Sequence, residues 1–429
     1  MLFEYPTDIR YFPSVKYNLL FSINFPCLAP GQESEMALNN FQRTMLRVPF
    51  MRTSVRCIVS KAFQATLGPK PAKPAPFPYK EKDYTLLSSM FDKTTSRFDE
   101  NTRLIVLEGP VGIGKTAIGK QLAELLDMHF MPDVTMDFYY LNDYGYDMRK
   151  LDPQLPVNCR SFDERNFLQD PGHFNAAFFQ IIKFKLRYAQ YIDAIAHLLN
   201  TGQGVILERS PFSDFTFLEA MYKCKYVSKT ARDIYYVLHK HAMPELLHPH
   251  VVVYLDAPVP RILDLVKERK LPHEVNSKAM NTTYLETMEH EFKYKFLRDI
   301  SKKSEVLVYD WSTNGDAEVI VEDLERLDLD NYDDDDPKKL DWFYTREQYW
   351  ADVRMKFTNE KDDLMGNFNC PIVDAPELNI PGEEVEVLTE AWFTADGNTY
   401  EYGYDPKRHG LMELLFKSKG RKQKWDPLA

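Results

Sequence analysis

A glycine-rich run at residues 109–116 constrains this chain more than any other part of its sequence. The run reads Gly-Pro-Val-Gly-Ile-Gly-Lys-Thr and fits the phosphate-loop pattern Gly-x-x-x-x-Gly-Lys-Ser/Thr. An apolar run at 103–108 before it is typical of a buried strand, and residues 117–127 after it carry apolar side chains at helical spacing. A strand, a glycine loop and a helix in this order predict a phosphate-binding loop, with a plain glycine turn as the alternative.

The residue types in this loop suit phosphate chemistry. Gly109, Gly112 and Gly114 allow backbone conformations closed to other residues, so that successive N–H groups can converge on one phosphate. Lys115 would reach the outer phosphates, and the Thr116 hydroxyl would hold a Mg²⁺ ion that bridges them. We therefore predict a nucleotide with Mg²⁺ as the ligand of this loop.

Composition excludes several classes of function. The chain has 429 residues and a formal net charge of −11, which argues against a general nucleic-acid binder because phosphate backbones are held by dense Lys and Arg. Its 5 cysteines contain no Cys-x-x-Cys pair, so neither a disulfide framework nor a zinc ribbon is indicated. No run approaches the roughly 20 apolar residues that span a bilayer, and we expect no transmembrane segment.

The N-terminal region has an unusual charge pattern. From Met36 to Lys80 there is no Asp or Glu, while arginine and lysine recur throughout. Arg-rich segments without acidic residues are typical of mitochondrial transit peptides. We predict that residues 1–80 comprise a transit region and a Pro-rich linker, with translation starting at Met36 or Met45. A basic disordered tail is the alternative.

Apolar runs alternate with helical patterns through the middle of the chain. Strands are predicted at 103–108, near Phe130, and at 204–208, 251–256 and 305–310. Helices are predicted at 84–97, 117–127, 174–200 and 279–300. This alternation predicts a doubly wound α/β domain of the phosphate-loop NTPase type over residues 81–327, with about five parallel strands.

The pattern changes at the acidic run 327–337, which favours a solvated linker. Beyond it the chain carries Trp342, Trp350, Trp392 and Trp425 with little clear periodicity. We predict that residues 328–429 form this linker and an extended tail that docks on the domain or on a partner.

A second constellation follows the strand at 204–208. Glu208, Arg209 and Asp214 lie just past the carboxyl end of that strand, where open α/β sheets bind their ligands. Together with the phosphate loop, this segment resembles the deoxynucleoside kinases. The resemblance implies that Glu208, Arg209 and Asp214 line a nucleoside pocket with Gln180 from the Phe-Gln pair of the preceding helix. Buried polar residues satisfied by their neighbours are the alternative.

The chain departs from this kinase pattern at two positions. The resemblance implies a catalytic Glu after the second strand, where this chain has Asp133, which is one methylene shorter. It also implies a lid with several arginines, of which Arg269 remains among lysines. If the protein were a kinase, Asp133, Arg209 and Arg269 would carry the reaction. We expect phosphoryl transfer to be severely weakened or absent.

Residues 142–153 and 198–211 resemble a particular group within this fold, the deoxynucleoside-kinase-like accessory subunits of mitochondrial respiratory complex I. The resemblance implies a non-catalytic subunit of NADH:ubiquinone oxidoreductase, needed for assembly or stability. It further implies a peripheral position on the matrix side of the inner membrane, with other complex I subunits as partners. FAD is associated with this group, but no residue pattern here predicts a flavin site. An active mitochondrial deoxynucleoside kinase that uses ATP is the alternative.

Two His-x-His pairs, His239/His241 and His248/His250, also occur near a predicted helix end and strand start. Zinc sites usually add cysteine or a convergent carboxylate to such pairs. We therefore interpret these residues as ordinary core or surface histidines.

Overall fold

Parallel strands form a single sheet through the centre of the protein. The computed structural model describes residues 58–68, 72–141, 145–313, 315–329, 337–338, 340–368, 370 and 374–395. The strands lie where the sequence predicts them, at β1 Leu104–Glu108, β2 His129–Met131, β3 Val205–Glu208, β4 Val251–Asp256 and β5 Glu305–Asp310. The predicted presequence residues 1–57, the acidic residues 330–336 and the end of the tail, 396–429, lie outside the described residues.

The sheet has the order β2-β3-β1-β4-β5, and every pairing in it is parallel. All residues of β1 are buried, as expected for a central strand with helices on both faces. Leu107 of β1 lies opposite Glu208 of β3, and Glu108 lies opposite Tyr254 of β4. The carboxyl ends of β1, β3 and β4 are therefore level, and the loops that follow them meet at one edge.

Helices cover both faces of this sheet. Their bounds are α1 Lys61–Leu67, α2 Leu86–Phe91, α3 Lys115–Leu126, α4 Asp137–Tyr140, α5 Glu164–Gln169, α6 Ala176–Thr201, α7 Phe215–Lys223, α8 Lys229–Ala242, α9 Val259–Arg269, α10 Pro272–Val275, α11 Thr282–Glu291, α12 Leu297–Ile300, α13 Ala317–Arg326, α14 Glu347–Asn359, α15 Lys361–Gly366 and α16 Gly382–Thr394. A π-helical turn at Phe292–Phe296 joins α11 to α12, so the predicted helix at 279–300 is continuous.

The longest of these helices, α6, runs through the core. It has 26 residues, and nearly all of them are buried because neighbouring elements pack around its whole circumference. Gly202 ends it in the left-handed conformation, with φ +70°. None of the helices in the described parts of the chain has the length and apolar character needed to cross a membrane.

Two segments differ from the sequence-based expectation. The predicted helix at 84–97 is divided into α2 and a 3₁₀ turn at Thr95–Arg97, because the chain leaves the helix at Asp92. The described part of the tail is helical: α14 and α15 pack along α6, and α16 packs on the 3₁₀ turns at Met148–Gln154 and Val157–Cys159. The sequence shows little of this periodicity because these helices bury only a few residues each.

Candidate functional site

The predicted phosphate loop connects β1 to α3 with the geometry that anion binding requires. Gly112 and Gly114 have φ of +80° and +88°, and Gly109 has φ +147°. A side chain at Gly109 would also place its Cβ 2.6 Å from the Leu255 carbonyl oxygen. In the described part of the chain, the N–H groups of residues 111–114 donate to no protein acceptor. They are available donors at the positive end of helix α3.

Lys115 and Thr116 begin helix α3. The Lys115 side chain is buried, and its ammonium donates to the Pro110 carbonyl at 2.6 Å. Burial, together with the nearby charge of Arg209, lowers the pKa of Lys115 to about 7. The Thr116 hydroxyl donates to the Glu208 carboxylate at 2.8 Å, so two oxygen ligands of the kind that Mg²⁺ prefers lie together beside the loop.

Glu108, the last residue of β1, ties this loop to the segment that follows β3. Its Oε1 accepts from the Ser210 N–H at 2.9 Å, the Ser210 hydroxyl at 2.8 Å and the Ser213 hydroxyl at 2.7 Å. Its Oε2 has no hydrogen-bond partner among the described residues. Burial raises the pKa of the Glu108 carboxyl. From sequence, Glu108 is predicted only as the end of a strand.

Asp133, at the position of the expected catalytic base, is held by two arginines. Arg187 contacts both of its oxygens, from Nε and Nη2, at 3.0 Å each. Arg209 Nε lies 3.3 Å from Asp133 Oδ2. Burial alone would raise the pKa of the Asp133 carboxyl, but the charges of Arg187, Lys183 and Arg209 hold it well below its usual range. Asp133 is thus a paired carboxylate of low basicity.

Asp214 and Gln180, both predicted to line a nucleoside pocket, contact each other. Gln180 Nε2 donates to Asp214 Oδ2 at 2.8 Å, and the Tyr235 hydroxyl donates to the same oxygen at 2.7 Å. Arg187 Nη1 donates to Oδ1. The Asp214 side chain is fully buried, so these protein donors satisfy it. Gln180 and Asp214 are thus brought together, and these two residues form the satisfied network of the alternative interpretation.

Arg187 and Arg209 share one aromatic support. Their guanidinium carbons lie 4.8 and 4.7 Å from the centroid of the Phe217 ring, within the range of a cation–π interaction. Arg209 has the unusual φ of +67°. Arg209 Nη1 is buried and has no hydrogen-bond partner among the described residues. An anionic group at this point would satisfy it.

Sequence reasoning missed Arg187 and Tyr235. The available signal for Arg187 was its spacing from Gln180: seven residues are close to two helical turns, so both side chains lie on one face of α6. Tyr235 gave no signal, since it reaches the site from α8 and contacts Asp214 only through the tertiary fold.

Arg269, predicted as a lid arginine, lies beside the phosphate loop. Arg269 ends α9, and its Nη1 is 3.7 Å from the position that a Cβ on Gly112 would occupy. The same nitrogen lies 3.2 Å from Glu274 Oε1 of α10. Lys267, two residues earlier, is exposed and pairs with Asp264 at 3.6 Å. One guanidinium therefore lies beside the loop, already engaged by a carboxylate.

Three of the four histidines have contacts within the fold, and His241 is exposed. The ring of His250 accepts a hydrogen bond from the Leu104 N–H at 3.0 Å and lies against Trp342. His248 lies 2.6 Å from the Asp341 carboxylate. His239 stacks on Phe184, and burial lowers its pKa to about 4. Among the described residues no group of His, Cys, Asp and Glu has the arrangement of a metal site.

The residues at this edge fit a nucleotide phosphate with Mg²⁺. The loop offers unpaired N–H donors, Arg209 offers an unpaired buried nitrogen, and Thr116 and Glu208 place two hard oxygen ligands beside them. Arg269 and Lys115 add positive charge. The nucleoside side of the site is different, because Gln180 and Asp214 are engaged with protein partners.

Comparison with known proteins identifies a family and several relatives. The family described as deoxynucleoside kinase matches residues 105–351. The bovine (Bos taurus) protein "NADH dehydrogenase (ubiquinone) 1 alpha subcomplex subunit 10, mitochondrial" is 32% identical over 316 residues, which are 73% of this chain and 87% of that protein. The mouse (Mus musculus) protein of the same name is 32% identical over 325 residues, 75% of this chain and 86% of that protein.

Similarity to kinases is more distant. A deoxyguanosine kinase of Dictyostelium discoideum is 25% identical over 285 residues, 66% of this chain and 88% of that protein. The solved structure of a deoxyadenosine kinase from M. mycoides with bound dATP covers 52% of this chain and 97% of that chain, at 17% identity and a TM-score of 0.39. By sequence, this chain belongs to the deoxynucleoside kinase family, and within it to the family of the mitochondrial NADH dehydrogenase alpha subcomplex subunit 10.

Proposed function

We propose that this protein is a non-catalytic accessory subunit of mitochondrial NADH:ubiquinone oxidoreductase. In this proposal it lies on the matrix side of the inner membrane, contacts other subunits of that complex and contributes to its assembly or stability. The names of the bovine and mouse relatives support the complex and the organelle, and the chain spans 87% and 86% of their lengths.

The observation that carries the non-catalytic part is the double pairing of Asp133. A general base must accept a proton from the substrate hydroxyl, and both oxygens of Asp133 are bonded to Arg187, with Arg209 beside them. The arginine charges keep its pKa far below neutrality, which makes the carboxylate a poor proton acceptor. Loss of a positioned general base typically lowers a rate by about 10²–10⁴-fold.

The phosphate loop is proposed to hold a nucleotide as a structural ligand. The N–H groups of residues 111–114 and the Lys115 ammonium would contact its phosphates, and Thr116 with Glu208 would hold the metal. Mg²⁺ would neutralise phosphate charge there. Such a ligand stabilises the fold by mass action without any chemical step.

An exposed apolar surface supports the partner-binding part of the proposal. Helix α2 exposes Leu86, Leu87, Met90 and Phe91, whose exposed fractions are 61%, 72%, 69% and 88%, while Ser88 and Ser89 are half-buried. Here the apolar side chains are exposed and the polar ones are half-buried, the reverse of the usual order. Contiguous exposed apolar side chains of this kind mark an interaction surface. We assign it to an apolar surface of a neighbouring subunit of the complex.

Native electrophoresis of detergent-solubilised mitochondria, followed by mass spectrometry of the bands, tests the proposal. We expect this protein to migrate with the NADH dehydrogenase complex and to be depleted when that complex is disassembled. Migration only as a free monomer or small oligomer would reject the subunit role. The result does not depend on whether the phosphate loop is filled, so nucleotide binding is tested separately on the purified protein.

An active mitochondrial deoxynucleoside kinase is the second candidate. The intact phosphate loop and the position of Arg269 beside Gly112 favour it. Purified protein would be assayed with deoxynucleosides and ATP, with Asp133→Asn and Lys115→Met variants in parallel. We expect no turnover above background in any of the three. Turnover that both substitutions abolish would support the kinase instead.

A further inference from the structure

The first described residues of the chain are built into the folded domain. Ile58, Val59 and Ser60 have exposed fractions of 1%, 7% and 9%. The Val59 N–H donates to Asn101 Oδ1 at 2.7 Å, and Asn101 Nδ2 donates back to the Val59 carbonyl at 2.7 Å. These two reciprocal hydrogen bonds fix the backbone at Val59, in the manner of a bridge between two strands.

The same three residues connect parts of the domain that are far apart in sequence. Asn101 Nδ2 also donates to the carbonyl of Leu126 at the end of α3, at 2.9 Å. The Ser60 N–H donates to Glu325 Oε1 of α13 at 2.8 Å, and the Ser60 hydroxyl caps α1. Without residues 58–60, the buried Asn101 Oδ1 would lose the Val59 N–H that donates to it, and Nδ2 would keep only the Leu126 carbonyl. We call residues 58–60 the N-terminal anchor.

The basic residues change type at this anchor. From Met36 to Cys57 they are all arginines, namely Arg43, Arg47, Arg52 and Arg56; from Ile58 to Lys80 they are all lysines, namely Lys61, Lys70, Lys73 and Lys80. Transit peptides are rich in arginine, and the change therefore separates a targeting composition from a structural one.

Two of these lysines contact residues of the folded domain. Lys73 pairs with Asp99 at 2.7 Å and donates to the Gly202 carbonyl at 2.8 Å. Lys61 lies 3.3 Å from Asp127. Lys61 and Lys73 thus have partners in the domain, in agreement with their retention in the mature protein.

We propose that a processing protease cuts this chain between Arg56 and Ile58, at one of the two peptide bonds that flank Cys57. Hydrolysis adds one water: the removed segment takes the new carboxylate, and the mature chain takes the new α-ammonium. The N-terminal anchor sets the downstream limit, and the last arginine of the targeting segment sets the upstream limit. The inference rests on the mitochondrial location given in the proposed function.

Import of the full-length radiolabelled precursor into isolated mitochondria tests this site, with mass spectrometry of the N-terminal peptide of the imported product. We expect the first residue of the mature chain to be Cys57 or Ile58. A mature chain that begins at any other residue overturns this inference but leaves the mitochondrial location standing. A precursor that stays outside the organelle and keeps Met1 contradicts both.

A second experiment tests whether the N-terminal anchor stabilises the mature chain, independently of where the chain is cut. Asn101→Ala removes the buried amide that bonds to Val59 and lies far from the cut, whereas Leu67→Asp, in α1, alters a side chain that is 59% exposed. We expect both precursors to be imported and cut at the same bond, and the Asn101→Ala product to disappear from the matrix at least threefold faster. Equal lifetimes of the two products would show that the anchor does not hold the mature chain, and would overturn its use as the downstream limit.

Discussion

The Arg187 guanidinium donates two parallel hydrogen bonds of 3.0 Å to Asp133, and its third nitrogen donates to Asp214. One arginine therefore neutralises two carboxylates, and Arg209 completes the charge balance of this group. The Arg187 side chain is only 5% exposed, so water does not compensate for its loss. Removing one partner of a buried ion pair leaves an uncompensated charge, which is far more harmful than the absence of the whole pair.

We expect Arg187→Met to lower the free energy of unfolding by about 3–5 kcal/mol, because Asp214 would lose its counter-charge and Asp133 would lose its two bonds of 3.0 Å. Urea denaturation of the purified protein measures this change. Arg187→Lys is the matched control: it keeps the charge but loses the paired nitrogens, and we expect a smaller loss. A Met variant as stable as the wild type would show that the pairs contribute nothing.

The same pairing predicts how stability depends on pH. The pKa of Asp133 is lower in the folded state than in the unfolded state, where it is about 3.9. Its pairing therefore stabilises the fold fully above that value and is lost as the pH falls below it. We expect the difference in unfolding free energy between wild type and Asp133→Asn to be constant from pH 5 to 8 and to shrink below about pH 4. A difference that is unchanged down to pH 3 would contradict the assignment.

We predict that Lys115 takes up a proton when a nucleotide binds. Its ammonium has a pKa of about 7 when buried without an anion, and a phosphate beside it would raise that value. Binding at pH 8 should therefore take up a proton, and affinity should fall as the pH rises through 7. Calorimetric titration with Mg-ATP in two buffers of different ionisation enthalpy measures this uptake. In Lys115→Arg, which stays charged, the uptake should disappear while binding persists.

The sheet and the phosphate loop can be predicted from sequence because their signals are local. A buried parallel strand is a short apolar run, and the loop needs glycine where φ is positive, as at Gly112 and Gly114. The site residues Glu208, Arg209 and Asp214 follow from the same logic, since they come directly after a strand whose end is level with that of β1.

The sequence could not predict whether those residues contact a ligand or are paired with other protein groups. Whether Asp214 reads a ligand or is satisfied by the protein depends on Tyr235 and Arg187, which come from other helices. The helical tail was also missed. Its key residue, Arg354, bonds to partners that are 154 and 262 positions away in the chain, and no local pattern encodes such contacts.

Arg354 predicts what holds the tail to the domain. It is fully buried, donates to Asn200 at 2.8 Å and to Asp92 at 2.9 Å, and lies 3.7 Å from the centroid of the Tyr84 ring. We expect Arg354→Met to lower the free energy of unfolding by about 3–5 kcal/mol. It should also make α14 the first site of limited proteolysis.

The matched control for Arg354 lies on the same helix. Lys356 pairs with Glu245 at 2.7 Å, but both side chains are more than a third exposed, and Lys356→Met should change stability by less than about 1 kcal/mol. If both variants released the tail equally, the attachment would come from the helix surface in general and not from the buried arginine.

Polar substitutions on the apolar face of α2 are expected to reduce assembly into the complex while leaving the stability of the protein nearly unchanged. Leu87 and Phe91 are 72% and 88% exposed, so Leu87→Asp with Phe91→Asp removes little buried surface from the protein itself. We expect the purified double variant to unfold within a few degrees of the wild type. In cells that lack the native protein, it should enter the NADH dehydrogenase complex several-fold less well, as measured by native electrophoresis. Val319→Asp, which changes an exposed apolar residue on α13, is the control. If the double variant assembled as well as that control, the partner surface would lie elsewhere on the molecule.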